Sequence, residues 1–121
     1  MDEAARAALA RDRTIDITTT GRRSGRPVRI EIWYHVIDGT VYITGTPGQR
    51  DWYANLLAHP EFTFHLKDSA AADLPARATP VTDEAQRRAV FARLFPAFGR
   101  PPEQQDEWVA RSPLVSVAFL E

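Results

Sequence analysis

Two turns in this sequence gather side chains suited to holding an anion. The first is Gly21-Arg22-Arg23-Ser24-Gly25-Arg26-Pro27, where two glycines permit a tight curl of the backbone, Ser24 adds a hydroxyl donor and guanidinium groups match carboxylate or phosphate oxygens. Arg29 follows, so four arginines lie between Asp16 and Glu31 with no acid among them. The second is Thr44-Gly45-Thr46-Pro47-Gly48-Gln49-Arg50-Asp51-Trp52, which sets small residues, hydroxyls and an arginine where a strand gives way to a helix. Backbone N–H groups meet phosphates at such places. A solvated hairpin turn whose arginines pair with Asp16, Glu31 or Asp51 suits the first cluster equally well taken alone. The second cluster tilts the balance toward an elongated anionic ligand held at both ends.

Other chemistries are poorly supplied. There is no cysteine, which removes thiol catalysis, thiolate metal sites and iron–sulfur clusters. His35, His59 and His65 lack metal-motif spacing, so no metal site is expected. His59, beside Pro60, reads as a helix end, and His35 and His65 read as surface residues on mixed strand faces. Ser24, Ser69, Ser112 and Ser116 have no nucleophile-elbow context, and no nucleophilic triad is visible. Asp83-Glu84 and Asp106-Glu107 sit at helix starts, where the dipole accounts for them. Fourteen of the fifteen basic residues are arginine, yet the net charge is −1. A nucleic-acid partner is therefore not expected, since the arginine cluster offers only about four phosphate contacts. No apolar run approaches the ~18 residues of a membrane span, and Met1 to Ala10 does not resemble a secretory signal, so a cytoplasmic protein is expected.

The 121 residues suit one domain, 1–121, and its pattern says what must position the two turns. Asp2 to Arg13 reads as an Ala-rich helix and Ile15 to Thr20 as a β-branched strand. After Pro27, Val28, Ile30, Ile32, Tyr34 and Val36 fall on one face of a single long strand, opposite Arg29, Glu31, Trp33 and His35. Asp38-Gly39 is a two-residue hairpin signal that returns the chain through Val41 and Ile43. Asp51 can cap a helix in which Trp52, Asn55, Leu56 and His59 share a surface, ending at Pro60. Strands are expected at Phe62–Lys67, Ala76–Val81 and Leu114–Leu120, with a loop at 68–73. Helices are expected after Asp83, with Val90, Phe91, Leu94 and Phe95 as its stripe, and over Gln105–Arg111, with Pro96 to Pro102 interrupting between them. About six strands and three or four helices, dominated by hairpins, favour an antiparallel barrel or α+β sheet over a doubly wound one.

The stretch from Thr18 through Gly-Arg-Arg-Ser-Gly-Arg to Pro27, a strand, an Asp-Gly hairpin and then Trp52-Tyr53-x-Asn55-Leu56-x-x-x-Pro60 resembles the deazaflavin-dependent nitroreductase family over residues 14–121. The resemblance implies a mainly β, α+β fold, a six-stranded antiparallel split β-barrel related to the FMN-binding, pyridoxamine-phosphate-oxidase-like barrels. It also implies binding of the deazaflavin coenzyme F420. Carried over residue by residue, Arg22, Arg23, Ser24 and Gly25, with Arg29 on the following strand, would serve the cofactor's acidic tail and phosphate. Thr44, Gly45, Thr46, Gly48, Arg50, Asp51 and Trp52 would lie by the ring and phosphate. The chain departs from nitroreductive members in having no lysine in the strand-to-helix turn and in placing Phe91, Phe95, Phe98 and Trp108 where they carry tyrosines.

The activity implied is hydride transfer from reduced F420 to a small electron-poor acceptor, an enone, quinone or nitro compound. No catalytic side chain is obligatory for it. Tyr34, Tyr42 and Tyr53 are the candidate proton donors, and Trp33 and Trp52 the candidate walls of a ring pocket. An FMN-binding split-barrel oxidoreductase and a non-catalytic cofactor or small-molecule binding protein are the alternatives. Related barrels dimerise while some deazaflavin-dependent members do not, which leaves a homodimer open.

Overall fold

The computed structural model describes residues 1–120. Helix α1 (Glu3–Arg11) opens on Asp2, whose carboxylate accepts the N–H of Ala5 at 2.8 Å, and buries Ala5 and Ala8 at three-residue spacing. Strand β1 (Thr14–Thr20) alternates buried Ile15, Ile17 and Thr19 with half-exposed residues. The following long segment is divided into β2 (Pro27–Trp33) and β3 (His35–Ile37), and an Asp38-Gly39 turn with both φ angles positive leads into β4 (Thr40–Thr44). Next come α2 (Asp51–Ala58), β5 (Glu61–Leu66), β6 (Ala72–Pro80), α3 (Glu84–Phe98), a 3-10 turn, α4 (Gln105–Arg111) and β7 (Leu114–Phe119). Among the described residues no helix is long and apolar enough to cross a membrane.

The seven strands form one antiparallel sheet in the order β2-β1-β5-β6-β7-β4-β3. Its two ends are consecutive pieces of one segment, 27–37. The first piece pairs with β1 and the second with β4, so this segment curls the sheet into a barrel. The change of partner falls at Tyr34, whose N–H leaves the ladder and bonds to the Arg13 carbonyl at 3.0 Å. The expected single long strand is thus two. Tyr34 stays inside the barrel, but beyond it Val36 is exposed and Ile37 turns to a second core under α3 and α4. Counting the divided segment once recovers six strands.

Three further boundaries differ from the sequence pattern. Strand β6 begins at Ala72, inside the expected loop, and runs through Pro75. The carbonyl of Pro75 accepts the N–H of Leu120, so its donor-less nitrogen faces past the end of β7 and removes no ladder bond. Helix α3 carries Pro96 in its last turn and stops only at Gly99, which adopts the left-handed conformation at φ 67°. Arg50, not Asp51, is the residue preceding α2, and no side chain caps that helix; Asp51 stands in its first turn, where a carboxylate suits the dipole.

Candidate functional site

The arginine turn is closed by its own backbone. Gly21 N–H bonds to Arg26 O at 2.8 Å and Gly25 N–H to Gly21 O at 2.9 Å, while Ser24 Oγ accepts the N–H of Arg26 at 3.1 Å. Gly25 is required by its backbone and Gly21 is favoured by its surroundings. A Cβ on Gly21 would stand 2.6 Å from Ser24 Oγ, and Gly25 has φ of +71°. The backbone N–H groups of Gly21, Gly25 and Arg26 are therefore spent within the turn. Arg22 is committed as well: its backbone N–H and its guanidinium both donate to Asn55 Oδ1, and its Nη2 reaches Asp51 at 3.2 Å. Arg23 has no intramolecular partner among the described residues. With Gly21, Arg22, Ser24, Val28, Asp51 and Asn55 it lines an open cleft of about 400 Å³.

The strand-to-helix turn, 45–50, is also self-closed. Arg50 folds back onto it, donating to the carbonyls of Gln49 at 2.8 Å and Thr46 at 3.1 Å and to the Thr46 hydroxyl. Gly48, at φ +125°, bonds through its N–H to Arg111 O, and Thr44 Oγ1 donates to Pro113 O at 2.6 Å, fastening the turn to the start of β7. Thr44, Gly45 and Thr46 form one wall of a mostly apolar cleft of about 290 Å³. Trp33, His35, Phe98, Arg100 and Trp108 supply the rest. Trp33 is 60% exposed, and Phe98 packs on both His35 and Trp108 with ring centroids 5.2 and 5.3 Å apart. Arg100 lies over the Trp108 ring at 5.1 Å and has no hydrogen-bond or ion-pair partner among the described residues.

The two clefts share no lining residue, and β2 contributes one residue to each. Val28 lines the first and Trp33 the second, about 16 Å apart along an extended strand. By the alternation of the strand these two side chains leave opposite faces of β2, so the clefts are two separate places on the barrel, one suited to an anion and one flat and apolar. Burial and the nearby Arg13 charge push the His35 imidazole below the ordinary histidine range, so the ring beside the aromatic cleft is neutral at pH 7.

The remaining sequence expectations sort as follows. Gly25 lies by a separate groove with Thr18 to Thr20 and Pro27, and Gly48 by another with Tyr53 and Ser112. Arg29 bonds to Asp16 at 2.9 Å on the outer barrel face, where Lys67 bridges Asp16 and Glu31, and it lines neither cleft. Trp52 is buried in the barrel core, edge-on to Tyr53, so Trp33 alone of the two tryptophans faces a cleft. Tyr34 is an unsuitable acid: its hydroxyl donates to Leu9 O at 2.8 Å, and burial, with help from Asp12, pushes it up to about 12.

His65, expected at the surface, is buried, with Nδ1 at 2.7 Å from Asp73 and Nε2 at 2.7 Å from Thr18 Oγ1. That row aligns a hydroxyl, an imidazole and a carboxylate, and Thr18 sits mid-strand, paired with β2 on one side and β5 on the other. Sequence reasoning missed Arg100 and the cleft-lining role of His35, Phe98 and Trp108. The available signal was a cluster of aromatics beside a Gly-Arg-Pro-Pro break.

The family model for F420H(2)-dependent quinone reductase matches residues 6–110. A conserved hypothetical protein from Mycobacterium tuberculosis superposes with a TM-score of 0.72 at 22% identity, covering 100% of this chain and 82% of that one. An F420 reductase gives 0.68 at 17% identity, over 100% and 97% of the two chains. A candidate pyridoxamine 5'-phosphate oxidase from Listeria innocua gives 0.70 at 11%, over 97% and 91%. At such identities the likeness is one of fold, the split β-barrel.

Proposed function

The chain belongs to the F420H(2)-dependent quinone reductase family, a family of oxidoreductases, and from that we propose that it binds reduced F420 and directs hydride to a small electron-poor acceptor, a quinone, an enone or a nitro compound. The chemistry of the two clefts, one basic and one aromatic, supports the proposal. One offers the unpaired Arg23 guanidinium and the Ser24 hydroxyl to phosphate or carboxylate oxygens of the cofactor tail. The other is flat and aromatic, and its small Gly45 leaves room at the wall. A Cβ there would stand 3.7 Å from Pro113, ordinary contact, so this opening is modest and the fit comes chiefly from Trp33, Phe98 and Trp108.

Bound F420, when reduced, supplies the hydride from its ring carbon. The chain's residues would do the rest. Trp33, Phe98 and Trp108 would exclude water and hold ring and acceptor face to face. Arg100, free of an ion pair at the rim, would stabilise the negative charge that hydride places on the acceptor oxygen, which then takes a proton from solvent. Arg22, Asn55 and Arg50 would hold the two turns in shape rather than touch the ligand.

Titrating the pure protein with F420 while following deazaflavin fluorescence tests this. Saturable quenching at roughly micromolar concentration is expected, an affinity of about 8 kcal/mol. Absence of binding would overturn the proposal, and saturable binding of FMN in its place would move the chain to the flavin alternative.

A further inference from the structure

We propose that the cleft between the 48–49 corner, Tyr53 and the start of β7 is a second ligand site, for a small organic anion bearing a carboxylate or phosphate. It measures about 550 Å³ and shares no lining residue with the two clefts above. Nothing in its case depends on F420.

Ser112 supplies the first observation. It is 4% exposed, and its Oγ has no hydrogen-bond partner among the described residues, a rare state for a buried hydroxyl. Arg87 supplies the second. This buried guanidinium donates to Val109 O at 2.6 Å, Val81 O at 2.9 Å, and Trp108 O and Ser112 O at 3.3 and 2.5 Å. Every partner is a neutral carbonyl, no carboxylate pairs with it among the described residues, and one Nη1 hydrogen is left over.

The third observation is the character of the walls. Among the described residues no acid lines the cleft, whereas Tyr53 and Thr82, whose hydroxyls have no intramolecular hydrogen-bond partner among those residues, and Arg111 line it. Arg111 pairs only with exposed Glu107 one turn back, a weak contact that a ligand can displace. Donors around an uncompensated positive charge repel a cation and are left unsatisfied by an apolar guest. An anion with several acceptor oxygens answers both, and the volume admits more than a bare inorganic ion.

Calorimetric titration of the full chain with inorganic phosphate and with malonate, at low ionic strength, tests the site. Saturable binding of at least one is expected, weakened about tenfold or more in the Tyr53→Phe/Ser112→Ala double variant and unchanged in Arg23→Ala. Deleting an unpartnered hydroxyl does not destabilise the fold, so a loss of binding there is not a loss of structure, and matched unfolding midpoints check this. Arg87 is left intact because three of its carbonyl bonds tie α3 to the end of α4 and the fourth holds Val81. No saturation by either probe, binding indifferent to the double variant, or binding lost in Arg23→Ala would each overturn the assignment, the last by placing the anion at the arginine turn.

Discussion

Asn55 Oδ1 accepts two hydrogen bonds from Arg22, one from its backbone N–H at 3.1 Å and one from its guanidinium at 2.9 Å, while Asn55 Nδ2 donates to Thr19 Oγ1 at 3.2 Å. One buried amide thereby joins α2 to the end of β1 and to the first arginine of the turn. Asn55→Ala would leave those groups unpartnered beside a small void and is expected to cost about 2–4 kcal/mol, read as a lower urea midpoint. An unchanged midpoint would mean that these bonds contribute nothing net.

Arg22 and Arg23 are neighbours with different duties, and substitution should separate them. Arg23→Ala should weaken F420 binding by about 1.5–3 kcal/mol if its free guanidinium meets the cofactor's anionic tail, with the unfolding midpoint unmoved. Arg22→Ala should instead lower the midpoint, by about 1 kcal/mol, because it removes the bonds to Asn55 and Asp51. Equal effects of the two on affinity and none on stability would refute the division.

Much of the barrel was legible because period-two alternation and an Asp-Gly turn are local. The break at Tyr34 was not, since it arises where one segment serves both edges of the sheet and its N–H is claimed by Arg13, twenty-one residues earlier. The arginine cluster was legible as composition but not as partners. Arg29 is neutralised by Asp16, which Lys67 also reaches from β5, so counting charge along the sequence overstated the free positive charge. Arg22 and Arg29 did find the acids named for a purely structural turn, while Arg23 did not. The aromatic cleft was legible only in Trp33, named as a candidate ring wall, because its other walls come from β3, β4, α3 and α4, and nothing local in the sequence brings Phe98 and Trp108 to His35.

The row from Asp73 through His65 to Thr18 ties β6, β5 and β1 together. A carboxylate accepts only, so His65 Nδ1 donates to Asp73, and Nε2 lies within hydrogen-bond distance of the Thr18 hydroxyl. His65→Leu keeps the bulk and abandons both bonds. It should cost about 1–3 kcal/mol in urea unfolding, with F420 affinity preserved because the row lies away from both clefts. A large loss of affinity with little loss of stability would mean that this row acts on the ligand after all.

His35 gives the aromatic cleft a pH dependence whose sign is fixed by its surroundings. Burial first, and Arg13 second, hold its pKa below the ordinary histidine value. Above roughly pH 6.5 the ring is neutral both folded and unfolded, and the protein keeps its full stability. As pH falls through that value the unfolded chain takes up the proton while the folded one resists it, so stability drops until the lowered folded value is reached. The carboxylate of Asp16, held low chiefly by the Lys67 hydrogen bond and then by Arg29, releases its contribution only at more acid pH, so the two effects occupy separate windows. Replacing His35 by Phe keeps the packing against Phe98 and removes the titration. Urea midpoints between pH 7.5 and 5 should therefore fall more steeply for the natural protein than for His35→Phe. Parallel curves would show that His35 is not the group responsible.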